Sequence, residues 1–63
     1  MVSWHSLTEE EAFSPELRGR SVYAIFTDED CVEYWLLTID GETVKDDSQS
    51  AMDHLRAFQE RFR

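Results

Sequence analysis

Residues 21–45 read SVYAIFTDEDCVEYWLLTIDGETVK. Asp40-Gly41 stands between apolar runs, and a two-residue type I′ turn needs positive φ at both central positions, which Asp tolerates and Gly adopts without a steric penalty. The dipeptide predicts a hairpin with Ile39 opposite Glu42 and Leu37 opposite Val44. Upstream, Asp28-Glu29-Asp30-Cys31 predicts a second reversal. If those four residues close it, Thr27 faces Val32, Phe26 faces Glu33 and Ala24 faces Trp35. The stretch then reads as a three-stranded antiparallel meander with Val32 to Ile39 as its central strand.

Side chains alternate faces along a strand, so this register sorts the sheet into two surfaces. One carries Val22, Ala24, Phe26, Trp35, Leu37, Ile39 and Val44, interrupted by Glu33 and Glu42, and is the expected core. The other carries Tyr23, Ile25, Val32, Tyr34, Leu36, Thr38 and Thr43, a set more apolar than an ordinary wetted surface and richer in hydroxyls than an ordinary core. A first loop one residue shorter or longer exchanges the faces of the first strand, and both of its sets are largely apolar.

Outside this stretch the chain predicts helices. Ser6-Leu7-Thr8-Glu9 has the form of a capping box, with a hydroxyl free to accept from first-turn amides and Glu9 placed to reach back, which predicts a helix from about Leu7 to Phe13. Ser14-Pro15-Glu16-Leu17 predicts a further turn, since proline is tolerated at the first helical position, and Gly19 would end it. At the other end Ser48 is the expected N-cap of an amphipathic helix. Ala51, Leu55, Phe58 and Phe62 recur at four, three and four residues and form one stripe, which Met52 widens. That stripe is expected to pack on the face carrying Trp35. The expected fold is therefore α+β: a meander, a C-terminal amphipathic helix on one face, and short N-terminal helical turns, all in one small domain spanning residues 1–63.

A domain of this size buries only about 60% of the surface its unfolded chain exposes, so its stability depends on help. One cysteine allows no internal disulfide, and no Cys/His spacing suggests structural zinc. Association, with itself or with a partner, is the remaining device. No run approaches a membrane span and Met1 to Leu7 lacks the pattern of a signal peptide, so a cytoplasmic location is expected. Fourteen acids against six bases give a formal charge of −8. That balance argues against binding nucleic acid or an anionic membrane directly, because affinity for phosphates comes chiefly from basic residues. It permits binding to a basic surface.

Motifs for chemistry are scarce. Cys31 follows three acids, whereas a nucleophilic cysteine is expected in an electropositive setting. His5 and His54 are far apart in sequence and from Cys31. Asp28-Glu29-Asp30 with Glu33 lacks the glycine and the spaced glutamate of a calcium loop. No phosphate-binding loop or nucleophile elbow occurs, so no cofactor and no catalytic residue is expected. Arg18 and Arg20 could meet Arg56, Arg61 and Arg63 in a basic strip, though no interleaved aromatics support a nucleic-acid site.

The function expected from these features is a non-enzymatic protein-binding module. Tyr23, Ile25, Tyr34 and Leu36 would form its contact face, because tyrosine brings a large apolar body and a hydroxyl for the rim. Asp28, Glu29, Asp30 and Glu33 would steer it to a basic partner, such as the nucleic-acid site of another protein, making it an acidic inhibitor or adaptor. A second expectation is a homodimer through the same face, with function elsewhere. A third, weaker one is a small enzyme or metal protein built on Cys31, His5 or His54.

Overall fold

Asp40 and Gly41 both adopt positive φ, 54° and 83°, and Ile39 pairs with Glu42 as the turn chemistry requires. The computed structural model describes residues 1–62. Four antiparallel strands, β1 (Val2–Leu7), β2 (Val22–Phe26), β3 (Val32–Ile39) and β4 (Glu42–Thr43), form one sheet. Two helices flank it, α1 (Glu9–Ala12) and α2 (Gln49–Gln59), with 3-10 turns at Pro15–Leu17 and Glu60–Phe62. The α+β class and the C-terminal helix agree with expectation.

The antiparallel sheet is larger than the expected three strands, because β1 joins it. β1 runs antiparallel along β3, from Val2 opposite Ile39 to Leu7 opposite Tyr34. The predicted helix start at Ser6 is displaced accordingly: the capping box is Thr8 with Glu11, whose carboxylate accepts from the Thr8 N–H at 2.9 Å while the Thr8 hydroxyl accepts from the Glu11 N–H at 3.1 Å. Two overlapping S/T-x-x-E frames exist in the sequence. Using the later one leaves Ser6 and Leu7 free to pair with Trp35 and Tyr34, which secures more main-chain bonds than another half-turn of an isolated helix.

β3 has only two edges. Its residues Tyr34 to Leu36 pair with both β1 and β2, and Thr38 and Ile39 pair with both β1 and β4, so β2 and β4 lie end to end on the edge opposite β1. Ser21 makes the junction. Its N–H donates to the Val44 carbonyl at 3.1 Å, its carbonyl accepts from the Leu37 N–H at 2.9 Å, and its hydroxyl lies within reach of the Val44 and Lys45 carbonyls. Ser21 is fully buried, and these bonds satisfy every polar group it brings inside. The expected Leu37–Val44 pairing is thereby corrected: Ser21 takes the Leu37 amide, and the Val44 carbonyl is bonded to Ser21 instead.

The first hairpin is also shifted by one residue. Phe26 faces Val32 and Ala24 faces Tyr34, because three residues rather than four close the loop: the Thr27 N–H donates to the Cys31 carbonyl, the Asp30 N–H donates to the Thr27 carbonyl, and Asp30 takes φ 57°. A turn followed by one left-handed residue is a standard three-residue closure. The shift rotates every side chain of β2 to the other face.

On the first face, which also carries Tyr23, Ile25 and Leu37, the α2 stripe meets Trp4 and Trp35 through Phe58. Phe58 stacks on Trp4 at 4.1 Å between ring centroids and lies edge-on to Trp35 at 5.2 Å and Phe62 at 5.2 Å. Ile25, Leu37, Ala51 and Phe58 are the buried apolar residues. Ser48 caps α2 as expected, accepting from the Ala51 N–H at 3.1 Å, and Met52 stays 41% exposed. The second face carries α1 and the Pro15–Leu17 turn, which shelter Leu7 and Leu36.

Candidate protein-binding surface

The alternation along β2 and β3, read with the observed pairing, puts Val22, Ala24, Phe26, Val32, Tyr34, Leu36 and Thr38 on the second face. Phe26 and Val32 are direct cross-strand partners, as are Ala24 and Tyr34. Phe13, at the C-terminal end of α1, reaches across to Tyr34, with ring centroids 5.5 Å apart in an edge-to-face arrangement. Phe26 is 72% exposed and Phe13 70% exposed. Val32 and Ala24 are exposed as well, and Tyr34 is half-buried between them. These five side chains form a contiguous apolar surface, of the kind that marks an interaction site when it stays uncovered.

Its two ends differ in charge. At the hairpin tip, directly beyond Phe26 and Val32, Asp28, Glu29 and Asp30 are all exposed. The Thr27 hydroxyl donates to the Cys31 carbonyl and accepts from the Glu29 N–H, so the tip is ordered by its own main chain and its carboxylates point to solvent. At the opposite end a groove of about 330 Å³ runs between the N-terminal turns and β2, lined by Phe13, Leu17, Val22, Ala24 and Tyr34, with Arg18, Arg20 and Asp46 at its mouth.

The expected contact face is therefore divided by the sheet. Tyr34 and Leu36 are on the second face, Leu36 partly beneath the N-terminal turns. Tyr23 and Ile25 are on the first: Ile25 is buried in the core, and the Tyr23 hydroxyl donates to the Asp46 carbonyl at 3.2 Å. Glu33 also points to the first face, where it accepts from the Trp35 indole N–H at 3.3 Å. Only Asp28, Glu29 and Asp30 remain beside the exposed patch. Phe13, Ala24, Phe26 and Val32 are members that the sequence reading left out of the contact face. The one local signal for them was Asp30, since Asp is among the few residues other than Gly that accept a left-handed conformation, and a left-handed third residue implies the shorter loop.

Residues considered for chemistry stay apart. The His5 Nε2 lies 3.1 Å from the Thr38 hydroxyl on the polar end of the second face, Cys31 is exposed at the hairpin, and His54 is half-buried on α2. Among the described residues no three His, Cys, Asp or Glu side chains gather as a metal-binding group. Arg18 and Arg20 line the second-face groove, while Arg61 sits over the Phe58 ring at 5.3 Å on the first face, so these arginines do not merge into a strip. Arg63 lies outside the described residues. No helix of the described residues is long and apolar enough to cross a membrane.

Comparison with protein-family models, with curated proteins and with solved structures gives no match.

Proposed function

We propose that the chain is a non-enzymatic protein-binding module that docks Phe13, Phe26, Val32 and Tyr34 onto an apolar patch of a partner whose rim is basic. The observation that carries this reading is the placement of two phenylalanines, each about seven-tenths exposed, around Tyr34 and next to three solvent-facing carboxylates. Rigid aromatic anchors contribute most of the affinity in such contacts, and surrounding charge selects the partner and speeds encounter. A basic groove of a nucleic-acid-binding protein has the matching chemistry, which makes the chain an acidic adaptor or inhibitor.

The test is affinity capture with the immobilised chain beside two folded variants, Phe26→Ser and the triple change Asp28→Asn, Glu29→Gln, Asp30→Asn. Basic proteins retained by the parent chain should be lost with Phe26→Ser. With the neutralised tip, the same proteins should associate at least about tenfold more slowly at low salt, with little difference above about 0.5 M. Retention of the same proteins by Phe26→Ser would exclude this face as the binding surface.

A further inference from the structure

β2 is an edge strand. The Ser21–Leu37 and Thr27–Cys31 main-chain bonds set the phase of its ladder with β3, so Tyr23 and Ile25 bond inward and the main-chain groups of Ala24 and Phe26, with the Val22 carbonyl, point away from the sheet. The Val22 N–H is already held by the Arg20 carbonyl at 2.7 Å. Such an edge is a template for another strand unless something blunts it. Here there is no proline and no charged side chain between Val22 and Phe26.

The charges flanking this edge are arranged about its centre. Arg20 and Asp28 each lie four residues from Ala24, and Arg18 and Asp30 each lie six residues from it. An antiparallel strand pairing centred on Ala24 sets each residue against the one equally far on the other side. Applied to two copies of β2, it brings Arg20 of one copy towards Asp28 of the other, twice by symmetry, while Arg18 and Asp30 lie in the turns beyond. Asp46, at the mouth of the same groove, offsets part of the arginine charge but leaves it net positive. We infer that the chain forms a two-fold dimer by antiparallel pairing of β2 with β2, centred on Ala24. The Ala24 N–H groups donate to each other's carbonyls and each Phe26 N–H donates to the Val22 carbonyl opposite. An isologous contact of this kind uses one surface twice and closes on itself, so it ends at two chains. It also seats Phe26 of one copy beside Val22 of the other, joining the two apolar patches across the axis. The inference shares Phe26 and Asp28 with the proposed partner surface, but its test reads self-association alone, so either can fail without the other.

The experiment is sedimentation equilibrium from about 1 µM to about 1 mM, with three sets of variants. The parent chain should approach twice its 7.4 kDa mass. Ala24→Pro deletes an N–H that β3 does not use, a change an edge strand accepts, and should leave the circular dichroism melt near that of the parent while shifting the mass to monomer. Arg20→Asp and Asp28→Arg should each weaken the dimer about tenfold, and the two together should restore it to within about threefold, because the charges then exchange places. The charge-swap pair still decides the matter if Ala24→Pro unfolds. A monomer at every concentration overturns the inference, and so does a dimer indifferent to both the proline and the charge swap.

Discussion

Asp30 is the residue on which the faces of β2 depend. Its φ of 57° costs a residue with a Cβ about 1–2 kcal/mol, which Asp reduces through local hydrogen bonding and Gly avoids. Asp30→Val should therefore destabilise the fold by about 1–2 kcal/mol in urea unfolding, while Asp30→Gly should leave it unchanged or slightly more stable. Equal effects from both substitutions would exclude backbone conformation as the cause. Phe58 is the matching residue on the other side of the sheet. It is 4% exposed and touches the rings of Trp4, Trp35 and Phe62. Truncation to Ala should remove about 3–5 kcal/mol, most of what a domain of this length possesses, so Phe58→Ala should show a broad melt or none. Phe26→Ser, by contrast, replaces a side chain already in water and should change stability by no more than about 0.5 kcal/mol.

At the scale of elements, α1 is a single turn held by its cap rather than by a buried face. None of its residues is buried, so the Thr8–Glu11 box is its principal local support. The Thr8 N–H, and to a lesser degree the Thr8 hydroxyl, hold the Glu11 carboxyl below the usual glutamate range. A carboxyl depressed in the folded state adds stability that is present above its unfolded pKa and lost as pH falls through its folded one. The box should thus open on acidification below the ordinary glutamate value. A side-chain carbon titration by NMR should place the Glu11 midpoint below that of a free glutamate. Thr8→Ala should raise it only part of the way, since the main-chain N–H remains. α2 differs in that its stripe is anchored by Ala51 and Phe58 in the core. Loss of its cap through Ser48→Ala should cost about 1 kcal/mol, a loss the packed stripe absorbs without unfolding.

At the scale of the molecule, the sheet separates two kinds of apolar residue. The first face spends its aromatics on Phe58 and the core, whereas the second leaves Phe13, Phe26 and Val32 in water. With a net charge of −8, long-range attraction to a basic partner is screened over about 8 Å at physiological ionic strength. The salt dependence of any association should therefore fall mainly on its rate, and measurement of association and dissociation rates across a salt series checks it. A dissociation rate that carries most of the dependence would mean that the carboxylates are buried in the contact rather than arrayed around it.

The Asp40-Gly41 turn, the Ser48 cap and the three-and-four spacing of the α2 stripe were legible in the sequence, because each is a local rule satisfied by neighbours along the chain. So were the α+β class and the acidity of the hairpin tip. Tertiary structure decided the rest. Val2 to Leu7 alternates weakly and lies next to a competing cap at Ser6, and it becomes a strand only because β3 offers it a second edge. Ser21 displaces Val44 from Leu37 because β2 and β4 must share one side of β3. The contact face depended on a single residue of loop length: both sets of β2 side chains are apolar, so hydrophobic pattern alone does not distinguish one register from the next. What distinguished them was the burial of Ile25 in the core and the bond of the Tyr23 hydroxyl to the Asp46 carbonyl on the same face, which leaves Phe26 on the outside.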